Sequence, residues 1–222
     1  MTDLREIVAR RVKAQQRAHL VREIVETVLL TALIFAVVRI TLQTYRIDPL
    51  SPSMEPSLIA GQLTLVNATA YWFGGPQRGE VIIFHHRHIP VDPTELKAGC
   101  TLESDSHGQL MTCDYVKRVI ALAGDTVQVT ATQVIVDGVV LREPYIQVPP
   151  GGAQSSQVLP PTTIGRNQYF VLGDNRLNST DSRFFGSVAR ADIVGRVVLV
   201  FWPLNQAHWL PNYAAVFASV HA

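Results

Sequence analysis

Asp114-Tyr115-Val116-Lys117-Arg118-Val119-Ile120-Ala121-Leu122-Ala123-Gly124-Asp125 reads as extended chain. In that conformation Tyr115, Lys117 and Val119 point to one face, and Val116, Arg118 and Ile120 to the other. Lys117 therefore shares its face with apolar neighbours that desolvate it, while Arg118 faces away, available for an ion pair. An ordinary strand lysine that snorkels to water is the plain alternative.

Similar runs flank it on both sides. Residues 62–66 (Gln-Leu-Thr-Leu-Val), 79–84 (Gly-Glu-Val-Ile-Ile-Phe), 126–130 (Thr-Val-Gln-Val-Thr) and 168–172 (Gln-Tyr-Phe-Val-Leu) are rich in β-branched and aromatic residues and bounded by turn formers. Gln133-Val-Ile-Val136 and Val139-Val-Leu-Arg142 flank Asp137-Gly138, a pair suited to the positive φ angles of a tight hairpin turn. A long strand is expected over 193–201. No amphipathic helix longer than two turns is visible after residue 60. The fold class that follows is mostly β, an antiparallel, barrel-like sheet. Residues 85–113 and 147–167, rich in His, Pro, Cys, Gly and Ser, read as loop insertions.

Upstream the pattern differs. Arg5, Arg10, Arg11, Lys13, Arg17 and Arg22 precede residues 24–42, an apolar run that would make a helix of roughly 28 Å, a bilayer's hydrocarbon thickness. Glu26 and Arg39 sit near its ends, within snorkelling reach of the interface. The expected organisation is a basic N-terminus at 1–23, one transmembrane helix at 24–42 and a β-rich domain at 43–222. By the positive-inside rule the basic end stays in the cytoplasm, with 43–222 on the far side of the membrane. A cleaved signal peptide is the rival reading, but the basic lead is long and no Ala-x-Ala site follows the apolar stretch. A buried core helix is the other.

The 222 residues carry a net charge of +1, too little for nucleic-acid binding by bulk electrostatics. Cys100 and Cys113 are the two cysteines. In an oxidising compartment they can close a loop; two free thiols are the alternative.

The chemistry centres on a serine. In Ser51-Pro52-Ser53-Met54-Glu55-Pro56-Ser57-Leu58 the prolines beside Ser53 stiffen the backbone, and rigidity suits a nucleophile that must attack from about 3 to 3.5 Å. A serine hydroxyl is a weak nucleophile alone, and a solvated lysine is protonated. A dry lysine amine beside the hydroxyl relieves both, because burial lowers the lysine pKa and frees it as general base. Gly173-Asp-Asn-Arg-Leu-Asn-Ser-Thr-Asp-Ser-Arg-Phe-Phe-Gly186 is a dense polar cluster after an apolar strand, suited to a network of hydrogen bonds and ion pairs. Taken singly, the first motif also reads as a polar turn and the last as a solvated one.

Taken together and in this order, the anchor and these three motifs resemble the bacterial type I signal peptidases, membrane-bound Ser/Lys endopeptidases that cut signal peptides from exported proteins. The resemblance covers most of residues 24–203. It implies Ser53 as nucleophile and Lys117 as general base, with the Ser51 hydroxyl and the Ser53 backbone N–H forming an oxyanion hole. Ser179 matches the serine that hydrogen-bonds and orients the lysine. Asp181 with Arg183, and Asp174 with Arg118, match structural ion pairs. Met54, Leu58, Tyr115 and Val116 fall where the family lines its substrate pockets. Leu50 and Pro52 depart from common family residues, and some members have a second membrane segment.

The resemblance also implies that an extended signal peptide adds as a strand near residues 48–52 and 112–115, with small side chains such as alanine one and three positions before the cut. The partners it implies are signal peptides and the lipid bilayer, and no cofactor or metal is expected. A dedicated Ser/Lys peptidase maturing a pilin or conjugation protein is the nearest alternative, and a membrane-anchored binding module without catalysis is another. A Ser/His/Asp hydrolase using His85, His86 or His88 with Asp92 lacks a Gly-x-Ser-x-Gly elbow around Ser53. A metal site drawn from those histidines, His107, Cys100 and Cys113 lacks ligand spacing.

Overall fold

The structure is a computed structural model that describes residues 2–48, 52–88, 100–105, 108–149 and 152–220. It divides into two compact units, Met1–Thr41 and Leu42–Ala222.

The first unit is one helix, α1 (Thr2–Thr41). Within it His19–Thr41 is long and apolar enough to cross a membrane. Its apolar side chains, Leu29, Leu33 and Phe35 among them, are exposed. The expected span at 24–42 overlaps this stretch, except that Leu42 already belongs to a strand.

The second unit is built from antiparallel strands. They are β1 (Leu42–Arg46), β2 (Leu63–Asn67), β3 (Val81–His88), β4 (Cys100–Asp105), β5 (Gly108–Ala121), β6 (Thr126–Val129), β7 (Val134–Val136), β8 (Val139–Val140), β9 (Leu159–Thr163), β10 (Gln168–Leu172), β11 (Val188–Ala189), β12 (Ile193–Trp202) and β13 (His208–Trp209). Among the described residues nine of them form one sheet along the path β1-β2-β12-β3-β5-β10-β11, with β13 beside β12 and β4 beside β5. The order β8-β7-β6-β9 makes a second, four-stranded sheet. The only α-helix of this unit among the described residues is α2 (Ser182–Phe185), capped by Asp181.

Side-chain alternation explains how both faces of the large sheet are covered. Val81 and Ile83 of β3 enter one apolar cluster, with Met54, Leu58 and Val197. Ile82 and Phe84 enter another on the opposite face, with Val119 and Val171. Ile120, Phe170 and Leu172 turn instead toward the small sheet and pack with Val127 and Val136. Asp137 and Gly138 both have positive φ, 49° and 80°, so the β7–β8 hairpin has the turn expected of it.

The two expected loop insertions are partly strand. β3 runs on to His88, and β4 and the first half of β5 form a ribbon that extends the sheet. Cys100 and Cys113 face each other across that ribbon and are joined by a disulfide. Its polar, histidine-bearing composition hides the strand signal, because a projecting ribbon has little apolar core to face. In the second insertion, Leu159–Thr163 pairs with β6; two prolines within it masked the pattern, and an edge strand tolerates them. One register expectation also changes. Thr112 and Cys113 are paired on both sides, by β3 and by β4, so an added peptide strand meets β5 only beyond Cys113.

Candidate active site

Ser53 and Lys117 come from separate elements and meet. Ser53 lies at the start of a turn between β1 and β2, closed by Glu55 N–H to Pro52 O and Leu58 N–H to Met54 O. Met54 and Leu58 anchor that turn by burying their side chains under the sheet. Lys117 lies on β5, and its Nζ is 2.7 Å from Ser53 Oγ. The lysine side chain is enclosed, the residue being only 4% exposed. Burial drives its pKa down to about 8, against the pull of Asp181 and Asp174, with Arg183 adding a smaller push in the same direction as burial. A base poised there is matched to work near neutral pH.

The polar segment after β10 supports the serine from below. Asn175 N–H donates to Ser53 O at 3.1 Å. Gly173 lies so close that an added Cβ would fall 2.4 Å from Ser53 O and 2.2 Å from Ser179 Oγ, so this position has room for glycine alone. Gly173 N–H donates to Asp181 Oδ2 at 3.0 Å. Asp181 in turn accepts from Arg183 Nε and Nη2 at 2.8 and 2.7 Å. Arg118, fully buried beside Lys117, donates to both oxygens of Asp174 at 2.8 and 2.6 Å, and to Gly79 O. These bidentate contacts offset much of the cost of burying the charges.

Not every expected site residue behaves as the motifs suggest. Ser179 Oγ is buried and makes no hydrogen bond to the lysine or to any other described residue; Lys117 Nζ is directed at Ser53 instead. Ser51 lies outside the described residues. Met54 and Leu58 are core side chains, and Val116 packs against the same cluster. The Tyr115 ring stands 5.5 Å from Lys117 Nζ and stacks with His86. His85 pairs with Asp114 at 2.6 Å, and among the described residues no three His, Cys, Asp or Glu side chains converge as metal ligands. Asp92 and His107 lie outside the described residues.

A third buried pair was not visible in the motifs. Arg176 donates to both oxygens of Glu143, and Tyr145 donates its hydroxyl to the same carboxylate at 2.6 Å. Arg176 belongs to the quoted polar segment, but no spacing rule ties it to a glutamate 33 residues earlier.

The family described as "Signal peptidase, peptidase S26" matches residues 21–202. A signal peptidase I of Leptolyngbya laminosa is 39% identical over 70% of this chain and 68% of its own. The protein named "Probable signal peptidase I-2" of Synechocystis sp. is 34% identical over 84% of this chain and 76% of its own. A signal peptidase I of Bacillus caldolyticus is 34% identical over 69% and 77%. The match reaches into the apolar helix, which fits membrane anchoring. The chain thus belongs to the signal peptidase family, peptidase S26, and is a membrane-anchored serine peptidase acting on signal peptides.

Proposed function

We propose that this peptidase works through a Ser53/Lys117 dyad and an acyl-enzyme. The observation that carries the reading is the 2.7 Å contact between Ser53 Oγ and a buried lysine amine. Neutral Lys117 takes the Ser53 proton as the oxygen attacks the scissile carbonyl. The oxyanion is held by the Ser51 hydroxyl and the Ser53 N–H, one such donor contributing about 2.7 to 4 kcal/mol. Protonated Lys117 then gives its proton to the departing amine, and water attacks the ester with the regenerated amine as base. Ser179, whose buried hydroxyl is unused in the resting enzyme, takes up the hydrogen bond that orients the amine as the proton moves. Asp174–Arg118 and Asp181–Arg183 keep the strand and the polar turn in place behind the dyad.

The extended peptide lies along β5 beside the dyad, C-terminal of Cys113. Val116 and Tyr115 line its pockets, with Met54 and Leu58 forming their apolar floor. The basic segment 1–23 stays in the cytoplasm, 24–41 crosses the cytoplasmic membrane as the apolar part of α1, and 42–222 works on the outer face of that membrane. Cleavage of an Ala-x-Ala preprotein in detergent tests the dyad. Ser53→Ala and Lys117→Met both abolish cleavage in a folded protein; full cleavage by either overturns the assignment. Several preproteins assayed side by side distinguish a general enzyme from one dedicated to a single pilin or conjugation substrate.

A further inference from the structure

We propose that Glu143 and Tyr145, from the segment after β8, are positioning residues that hold the serine and lysine sides of the site in register. The proposal rests on the Ser53/Lys117 reading above. Both lie outside the quoted motifs, and both are drawn into the site by a short excursion from the small sheet.

Tyr145 acts on the lysine side. It is buried, and its ring centroid lies 4.2 Å from Arg118 Cζ, a cation–π contact with the residue that follows Lys117 on β5. Tyr213 adds a second ring at 5.1 Å. The Tyr145 hydroxyl is committed elsewhere, to Glu143 Oε1. Burial, reinforced by the adjacent Glu143 carboxylate, pushes the phenol well above its usual pKa, so it stays a donor.

Glu143 acts on the serine side. Its other oxygen accepts from Arg176 Nη1 at 2.8 Å, and Arg176 Nε donates to Gly173 O at 3.0 Å. Gly173 is the residue pressed against the Ser53 carbonyl and Ser179, and Asn175 nearby holds that carbonyl by its N–H. One carboxylate thus gathers a phenol that abuts the lysine's neighbour and a guanidinium that fixes the nucleophile's support. The Glu143–Arg176 side chains are 1% and 2% exposed. A pair this deep contributes little net stability once desolvation is counted, and an apolar pair of similar volume often serves as well. What the charged pair adds is direction: two bidentate groups fix the turn at Gly173 against the strand carrying Lys117.

The test is steady-state cleavage of an Ala-x-Ala preprotein by the full chain in detergent, with Tm measured alongside. Glu143→Leu alone strands a buried arginine, so the decisive variant is Glu143→Leu with Arg176→Met, which removes both charges together. Its Tm is expected to fall by a few degrees, because the Tyr145 hydroxyl and the Gly173 carbonyl each lose a partner, while kcat of the folded enzyme falls about 100-fold at unchanged KM, the size of loss that follows a misplacement near 1 Å. Tyr145→Phe, which keeps the ring on Arg118, should lose less kcat than Tyr145→Leu. A double variant that is folded at the assay temperature and has kcat within threefold of wild type overturns the proposal, as does a loss confined to KM. Ser53→Ala and Lys117→Met run in parallel separate the two readings. If either of those still cleaves, the dyad reading falls and takes this one with it. If both are inactive while the double variant matches wild type, only the positioning role is lost.

Discussion

With its amine pushed down to about 8, Lys117 is mostly protonated at pH 7 and mostly neutral at pH 9. The value of kcat/KM should therefore climb with pH, reach half its plateau near 8 and level off above about 9, a limb read from preprotein cleavage between pH 6 and 10. A flat profile would mean that the lysine is not the titrating base. The same shift bears on stability. The folded value lies below the 10.5 of an exposed lysine, so between about 8 and 10.5 the unfolded chain binds more protons and stability rises with pH. Below about 8 the folded protein carries the whole penalty, about 3 kcal/mol. Lys117→Met removes that penalty, so it should melt at or above the wild-type Tm at pH 7 while being inactive. A variant that is inactive and also markedly less stable would show that the lysine serves the fold.

At the scale of elements, two local arrangements make independent forecasts. Gly173→Ala sets a Cβ against the Ser53 carbonyl, a backbone atom that cannot swing away, so the turn must move and take the nucleophile with it. A fall in kcat of about 100-fold is expected, measured on the same preprotein. The Cys100–Cys113 disulfide closes a loop across the β4–β5 ribbon. Cys100→Ser with Cys113→Ser should lower stability by roughly 3 kcal/mol on the chain-entropy account, measured by denaturant unfolding under oxidising conditions. These elements were unequally legible in the sequence. The strand through Lys117, the Asp137-Gly138 hairpin and the Gly173–Gly186 polar segment announced themselves through alternation, turn chemistry and charge. The β4–β5 ribbon did not, because its residues pair with each other rather than with an apolar layer. Glu143 and Tyr145 were hidden for a different reason: their partners lie far along the chain, and no local pattern encodes a contact made only after two sheets pack.

At the scale of the whole molecule, one chain carries an apolar helix and a β unit that holds the Ser53–Lys117 contact. The full chain should stay with membranes after alkaline carbonate extraction, whereas residues 42–222 expressed alone should be released or only loosely held; equal release of both would remove α1 as the anchor. Protease added to intact spheroplasts should degrade the β unit and spare the basic end if the proposed orientation holds. All of it depends on a lysine at a serine's side whose amine is made easier to deprotonate by its enclosure. The most direct test is a 13C NMR titration of the Lys117 ε-carbon in the labelled full chain, assigned by its disappearance in Lys117→Met. A midpoint near 8 is expected; a midpoint near 10.5, the value of a lysine in open water, would contradict the account.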